Sequence, residues 1–174
     1  MTQDASDTAV GERVRDVLDG LGAPYEVITI DPDFADTAQF CAKYDIPLDQ
    51  SANTIIVASK KEPRQYCACL VLATTRLDVN HAVKKLMGAS RVSFATADET
   101  KEVTGMLIGG VTIFALPRDL PIYVDERVMA PEWIIVGGGG RSTKLRLAPA
   151  VLGRLPNVSV VSGLASEAQG GERG

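Results

Sequence analysis

Two short apolar runs constrain this chain most: Thr54–Ala58, and Tyr66–Ala73. The first is β-branched at its centre. Between them lies a charged turn, Lys60 to Gln65, interrupted by Pro63. Runs of this length, rich in Val, Ile and Thr and bounded by turn residues, read as strands. Their closeness in sequence makes a hairpin, and their apolarity places it at the centre of a sheet.

The flanking segments are shorter and more varied. Val14, Val17, Leu18 and Leu21 recur at helical spacing before Gly22, which predicts an amphipathic first helix. Tyr25 to Ile30 alternates as a strand and stops at Asp31-Pro32-Asp33. Asp36 stands three residues before Gln39, a capping pattern for a short helix through Phe40, Cys41 and Tyr44 that Pro47 ends. Asp78 starts a helix bearing Val79, Ala82, Val83, Leu86 and Met87, and Gly88 closes it. Arg91–Phe94 is a short strand and Asp98–Val103 a polar helix. Strands follow at Ile122–Val124, Trp133–Val136 and around Leu145 and Leu147. Pro149 opens a short helix to Leu155, and Val158–Val161 is the last strand. The expected fold class is therefore mixed α/β: a single domain with a mixed sheet or partly closed barrel and helices outside. Residues 1–7 are expected to be a flexible start, 8–162 the domain, and 163–174 a disordered, Gly-rich tail.

Charge and composition exclude several function classes. The net charge is −4, so the chain has no broad claim on a long nucleic acid, and a DNA-coating role is not expected. Contact with a nucleic-acid end remains compatible. Met1 to Asp7 is polar and acidic, without the basic and apolar segments of a secretory signal. No apolar run approaches the roughly 20 residues that span a bilayer. A cytoplasmic location with no membrane partner is the expectation. Cys41, Cys67 and Cys69 are too few and too unevenly placed for a disulfide framework or a closed zinc site, and are expected as buried free thiols. His81 is the only histidine, so neither a Ser-His-Asp nor a Cys-His nucleophile pair can be assembled without it.

The run Gly137 to Gly140 invites a phosphate-loop reading and fails it. Arg141-Ser142-Thr143-Lys144 follows, rather than Gly-Lys-Ser/Thr, and the dinucleotide fingerprint would need a glycine where Ser142 stands. A tight bend lining a pocket is the better reading, because glycine permits close backbone approach. The basic residues Arg141, Lys144 and Arg146 follow that bend, and cations beside free amides suit a phosphate or carboxylate. A second glycine pattern, Thr104-Gly105 followed by Gly109-Gly110, could expose backbone groups to a ligand.

In order along the chain, these pieces resemble the YbaK/ProX family of aminoacyl-tRNA editing domains. Leu77-Asp78-Val79-Asn80 with Leu86-Met87-Gly88-Ala89 is similar to a family helix. Val103 to Val111 is similar to its glycine-containing loop, Ile122-Tyr123-Val124-Asp125 to a strand end, and Val136 to Gly139 with Leu145 to Pro149 to its final bend and strand. The resemblance spans about Val14 to Val161. It implies a mixed, barrel-like sheet with flanking helices. It also implies hydrolysis of the ester joining a wrong amino acid to tRNA, in a pocket for the aminoacyl-adenosine end, with a ribose hydroxyl of the substrate assisting the water and no metal or other cofactor.

Three positions depart from the family pattern. Asn53 stands where the family carries a lysine, Ile113 where its loop has proline, and Lys144 where an aspartate is common. Losing one oxyanion stabiliser costs on the order of 3 kcal/mol in barrier; an asparagine still donates a hydrogen bond, and Lys144 restores a cation. The expected catalytic set is Asn53, Gly109 and Gly110. Thr104, Thr112, Gly138 and Lys144 are expected to bind substrate. The implied partner is the tRNA acceptor end, with an aminoacyl-tRNA synthetase as a further partner. The alternatives are a non-catalytic module binding an aminoacyl or nucleotide-type ligand, and a hydrolase of small esters.

Overall fold

The two apolar runs do form the central hairpin. The computed structural model describes residues 3–168. In chain order the elements are α1 (Gln3–Leu21), β1 (Tyr25–Thr29), α2 (Thr37–Tyr44), β2 (Ala52–Ser59), β3 (Tyr66–Leu72), β4 (Thr75–Leu77), α3 (Lys84–Met87), β5 (Val92–Phe94), α4 (Ala97–Thr104), β6 (Ile122–Asp125), β7 (Ile134–Gly137), β8 (Thr143–Leu147), β9 (Val158–Val161) and β10 (Ala165–Glu167). β2 and β3 pair antiparallel from Ala52↔Leu72 to Ala58↔Tyr66. Successive strand residues point to opposite faces, and both faces of β3 are buried. Ala68, Leu70 and Leu72 join a core with Val14, Leu18, Phe114 and Ile134. Cys67, Cys69 and Val71 join a second core with Val57, Val83 and Leu164. This two-sided burial explains why the β3 sequence lacks polar alternation.

The five-stranded mixed sheet has the order β5-β2-β3-β6-β9. β6 lies parallel to both β3 and β9, and β5 pairs with β2 only over Val57–Ser59. A second, antiparallel sheet has the order β1-β8-β7, and β10 pairs with β4. The strands therefore fall into three sheets. The only strand-type link between the two larger ones, among the described residues, is the single parallel bridge Ser51↔Ile135.

Helix ends follow local chemistry. Thr96 and Glu99 form a reciprocal capping box at α4, with Oγ1 of Thr96 accepting from the Glu99 amide at 3.1 Å and Oε1 of Glu99 accepting from the Thr96 amide at 2.9 Å. A π-helical turn, Val79–Val83, leads into α3, and Gly88 ends it at φ 63°. The expected helix from Pro149 is a 3₁₀ segment, Pro149–Arg154.

Two expected boundaries lie elsewhere. α1 begins at Gln3, inside the segment expected to be flexible. Its length lets it lay Val10, Val14 and Leu18 on the core. At the other end, Ala165–Glu167 pairs with Thr75–Leu77 inside the expected tail; the rest of that tail, from 169, lies outside the described residues. The three cysteines are buried free thiols. His81 is a surface residue, its ring 3.1 Å from Asp78 and its side chain 87% exposed. No helix among the described residues is long and apolar enough to cross a membrane.

Candidate functional site

β5 and the Ala95 amide that follows it leave the edge of β2 uncovered before Ile56. A cleft of about 450 Å³ opens along that edge. Asn53 to Ile56 form one wall, Ile135, Val136 and Lys144 another. The start of α2, with Asp36 and Thr37, and the loop carrying Ile108 and Gly109 close its ends. At the mouth stand Phe94, 56% exposed, and Ile108, 50% exposed.

Asn53 is held by its neighbour. The Thr37 hydroxyl donates to Asn53 Oδ1, so the Nδ2 amide is the remaining hydrogen-bonding group and can only donate. The next residue, Thr54, has a buried hydroxyl oxygen without a partner. A buried polar group left unpaired costs about 1–3 kcal/mol.

Lys144 acts as a strut. It is 6% exposed, and its ammonium donates to the carbonyls of Ala35 at 2.7 Å and Gly109 at 3.0 Å. It thereby ties β8 to the turn before α2 and to the glycine loop. Burial pulls its pKa down from the usual lysine value to about 8; the charges of Asp36 and Cys41 pull it up, and Arg141 pushes it down. Arg141 makes a parallel tie. Its guanidinium donates to the Ile108 carbonyl and, at 3.0 Å, to the Pro32 carbonyl.

Gly109 faces the cleft at φ 95°, a backbone region that disfavours side chains. Gly110 does not line the cleft. It packs backbone to backbone against the glycine run: its carbonyl accepts from the Gly139 amide at 2.8 Å, and a Cβ there would stand 2.6 Å from the Gly140 carbonyl oxygen. Gly138 is also outside the cleft, fitted against Thr143. Gly139 presses on Val10 and Val14 of α1. The glycine run is thus a packing joint between α1, β8 and the loop, and it holds the loop rather than a phosphate.

Thr104 and Thr112 sit in the interior, away from the cleft. The Thr104 hydroxyl donates to the Thr100 carbonyl at 2.7 Å and accepts from the Met106 amide at 3.0 Å, finishing α4. Thr112 is fully buried, with its amide 3.5 Å from Met106 Sδ and its hydroxyl unpartnered. Of the seven expected residues, then, Asn53, Gly109 and Lys144 come together on one cavity. The sequence reading did not single out Asp36, Thr37, Thr54, Phe94 or Ile108 for it. The one available signal was the β-branched strand continuing directly from Asn53. No group of three or more His, Cys, Asp or Glu among the described residues could hold a metal ion.

The family model described as "Aminoacyl-tRNA editing domain" matches residues 31–155, a span that contains the entire cleft lining. Among solved structures, the hypothetical protein APE2540 superposes with a TM-score of 0.78 at 23% identity, covering 88% of this chain and 99% of that one. A protein described as a candidate trans-editing enzyme for prolyl-tRNA synthetase gives 0.76 at 24% identity, covering 91% and 98%. A candidate signal transduction protein from Marinobacter aquaeolei VT8 gives 0.60 at 17% identity, covering 90% of this chain but 31% of that one. These structures share the fold, in the last case as one module of a longer chain.

Proposed function

Because the chain belongs to the aminoacyl-tRNA editing domain family, we propose that the cleft along β2 hydrolyses the ester of a mischarged aminoacyl-tRNA, with this domain acting in trans in the cytoplasm. The observation that carries the reading is the meeting of Asn53, with its free amide donor, and the Gly109 loop held by Lys144 on one cavity. In ester hydrolysis water adds to the acyl carbon, negative charge develops on the carbonyl oxygen, and the C–O bond to the ribose breaks as the carbonyl re-forms and the leaving ribose oxygen takes a proton. Donors fixed beforehand stabilise such charge without having to reorganise. Asn53 Nδ2 is such a donor, and Thr37 fixes the asparagine amide.

Lys144 is a positioning residue in this reading, since its ammonium is committed to two backbone carbonyls. It replaces a substrate-facing cation by a strut that sets the loop. Gly110, Thr112, Gly138 and Thr104 contribute by holding that loop and α4. The lining has no histidine, so the substrate's own ribose hydroxyl is the natural carrier of the water's proton. Ile55, Ile56, Val111, Ile135 and Val136 give the acyl side chain an apolar seat, which suits a small uncharged amino acid. The two sheets meeting at Ser51↔Ile135 act as the partly closed wall of this seat. The exposed Phe94 ring at the mouth offers a stacking face for the terminal nucleobase. By analogy with the structure described for prolyl-tRNA synthetase, a synthetase is the natural source of the substrate.

The test is deacylation of a panel of labelled aminoacyl-tRNAs, mischarged prolyl acceptors included, by the native chain and Asn53→Lys. Hydrolysis by the native chain supports the reading. Activity only in Asn53→Lys points to a pocket that binds without catalysing. Silence from both, with turnover of simple amino-acid esters, identifies a small-ester hydrolase.

A further inference from the structure

Asp36 stands at the N-cap of α2 with extended backbone (φ −66°, ψ 140°), yet its side chain makes no capping hydrogen bond. An aspartate there ordinarily accepts from an amide one turn into the helix. Here the carboxylate lines the cleft instead, the only carboxylate among its lining residues. It is 57% exposed and in an ion pair with Arg141, whose Nη1 lies 3.7 Å away, beyond hydrogen-bonding distance, and its charge also acts on Lys144. Arg141 is itself committed to the Ile108 and Pro32 carbonyls, and Lys144, the other cation beside the cleft, to those of Ala35 and Gly109. Both cations thus attract Asp36 by charge but give their hydrogen bonds to the backbone, which leaves the lone pairs of its carboxylate without a donor.

Resting on the editing reading, we propose that Asp36 binds the free α-ammonium group of the aminoacyl ester, so that the site takes esters with an unblocked amine and rejects N-acylated ones. An aminoacyl ester differs from its N-acylated counterpart in carrying an ammonium with three donors; N-acylation leaves a neutral amide with one donor and added bulk. A carboxylate at the cleft end separates the two, because a charge-assisted hydrogen bond is roughly twice as strong as a neutral one. Asn53 sits beside it through Thr37, the residue that follows Asp36 and bonds the amide. Amine recognition and carbonyl polarisation are therefore carried by adjacent residues at one helix start. The domain would clear mischarged tRNA while sparing peptidyl and N-blocked initiator esters.

The probes are two amide-linked adenosines that cannot be hydrolysed: 3′-deoxy-3′-(L-alanylamino)adenosine and its N-acetyl derivative, titrated calorimetrically into the native chain and Asp36→Asn. Asparagine is an equally good N-cap, so the fold is expected to persist, checked by thermal melting. The native chain is expected to bind the free amine at least about tenfold more tightly, and Asp36→Asn to bind both alike. Equal binding by the native chain overturns the inference, as does a preference that survives in Asp36→Asn. Hydrolysis of alanyl-tRNA and N-acetyl-alanyl-tRNA is followed alongside. If kcat falls equally for both in Asp36→Asn, with the native preference intact, Asp36 is a general base and the inference is overturned. If the native chain hydrolyses neither but the Asp36-dependent preference is found, amine recognition holds while catalysis fails. No binding of either probe overturns the inference; hydrolysis of the wider panel then decides the editing reading separately.

Discussion

Two clefts open on opposite ends of the central hairpin. The one along β2 encloses about 450 Å³. The other, beside the start of β3, encloses about 590 Å³ between Tyr66, Leu86, Met87, Pro117, Pro121 and Tyr123. The larger is lined by Arg64, Gln65 and Asp119 as well as by apolar and proline side chains. Arg64 pairs with Glu99 at 2.5 Å, whose carboxyl is held below the usual range, chiefly by the Thr96 amide and also by Arg64, while Arg64 Nε is buried without a partner. The smaller holds an asparagine with a free donor and an uncapping carboxylate. Volume does not distinguish them. What does is which groups are left for a substrate: Arg64 is already tied to Glu99, whereas the Asn53 amide is held only through its oxygen and the Asp36 carboxylate makes no capping bond.

The sharpest way to break this comparison is Asn53→Ala. Removing a fixed donor to a developing oxyanion is expected to cut kcat by about a hundredfold or more; unchanged single-turnover rates on a cognate aminoacyl-tRNA would move the chemistry elsewhere. Lys144→Met comes next. Releasing the Gly109 loop and the turn at Ala35 is expected to cost about a hundredfold in kcat/KM through misplacement alone, with helix content by circular dichroism preserved.

The same lysine has a signature in stability. Its pKa is about 8 folded against 10.5 ordinarily, so between those values the unfolded chain binds the extra proton. Stability relative to Lys144→Met should then rise from pH 8 towards 10.5, by at most about 3 kcal/mol. Denaturant melts of both proteins across that range check it, and a flat difference argues that the two carbonyls hold the proton at higher pH.

Phe94→Ala is expected to raise KM about tenfold with little change in kcat, and Phe94→Tyr to restore it; equal losses in both parameters would make the ring part of the chemistry. The smallest effect is kept for the control cleft. Arg64→Ala should leave deacylation within about twofold and cost under about 1 kcal/mol in a melt, as for other partly exposed ion pairs. A large loss of activity there would dissolve the contrast between the two cavities.

The framework of the fold was legible because it depends on patterns along the chain. The apolar hairpin, the amphipathic face of α1 and the short strands were visible as periodicity. β4 and β10 were not, because three residues carry no period and their pairing joins positions some ninety residues apart. The site was half legible. Asn53, Gly109 and Lys144 line one cavity, Lys144 with its ammonium on two backbone carbonyls, but sequence does not tell which side of a loop faces a cavity. Gly110 and Gly138, which look equivalent to Gly109, turn away to pack on backbone. Thr104 spends its hydroxyl on a helix end. Asp36 was readable only as a cap, and its importance comes from the capping bond it does not make.

The joint between Gly110 and the run Gly137–Gly140 bears on how such a domain can change over time. Its contacts are main chain against main chain, so, apart from the ties that Lys144 and Arg141 make to it, the position of the loop owes little to the side chains of the cleft wall. Residues such as Asn53 or Ile135 can be exchanged while the loop stays in register. The glycines themselves cannot drift, because any side chain at Gly110 would strike the opposing carbonyl. The scaffold is thereby insulated from its own specificity, and a lineage can retarget the pocket to a different acyl group without first relearning how to fold.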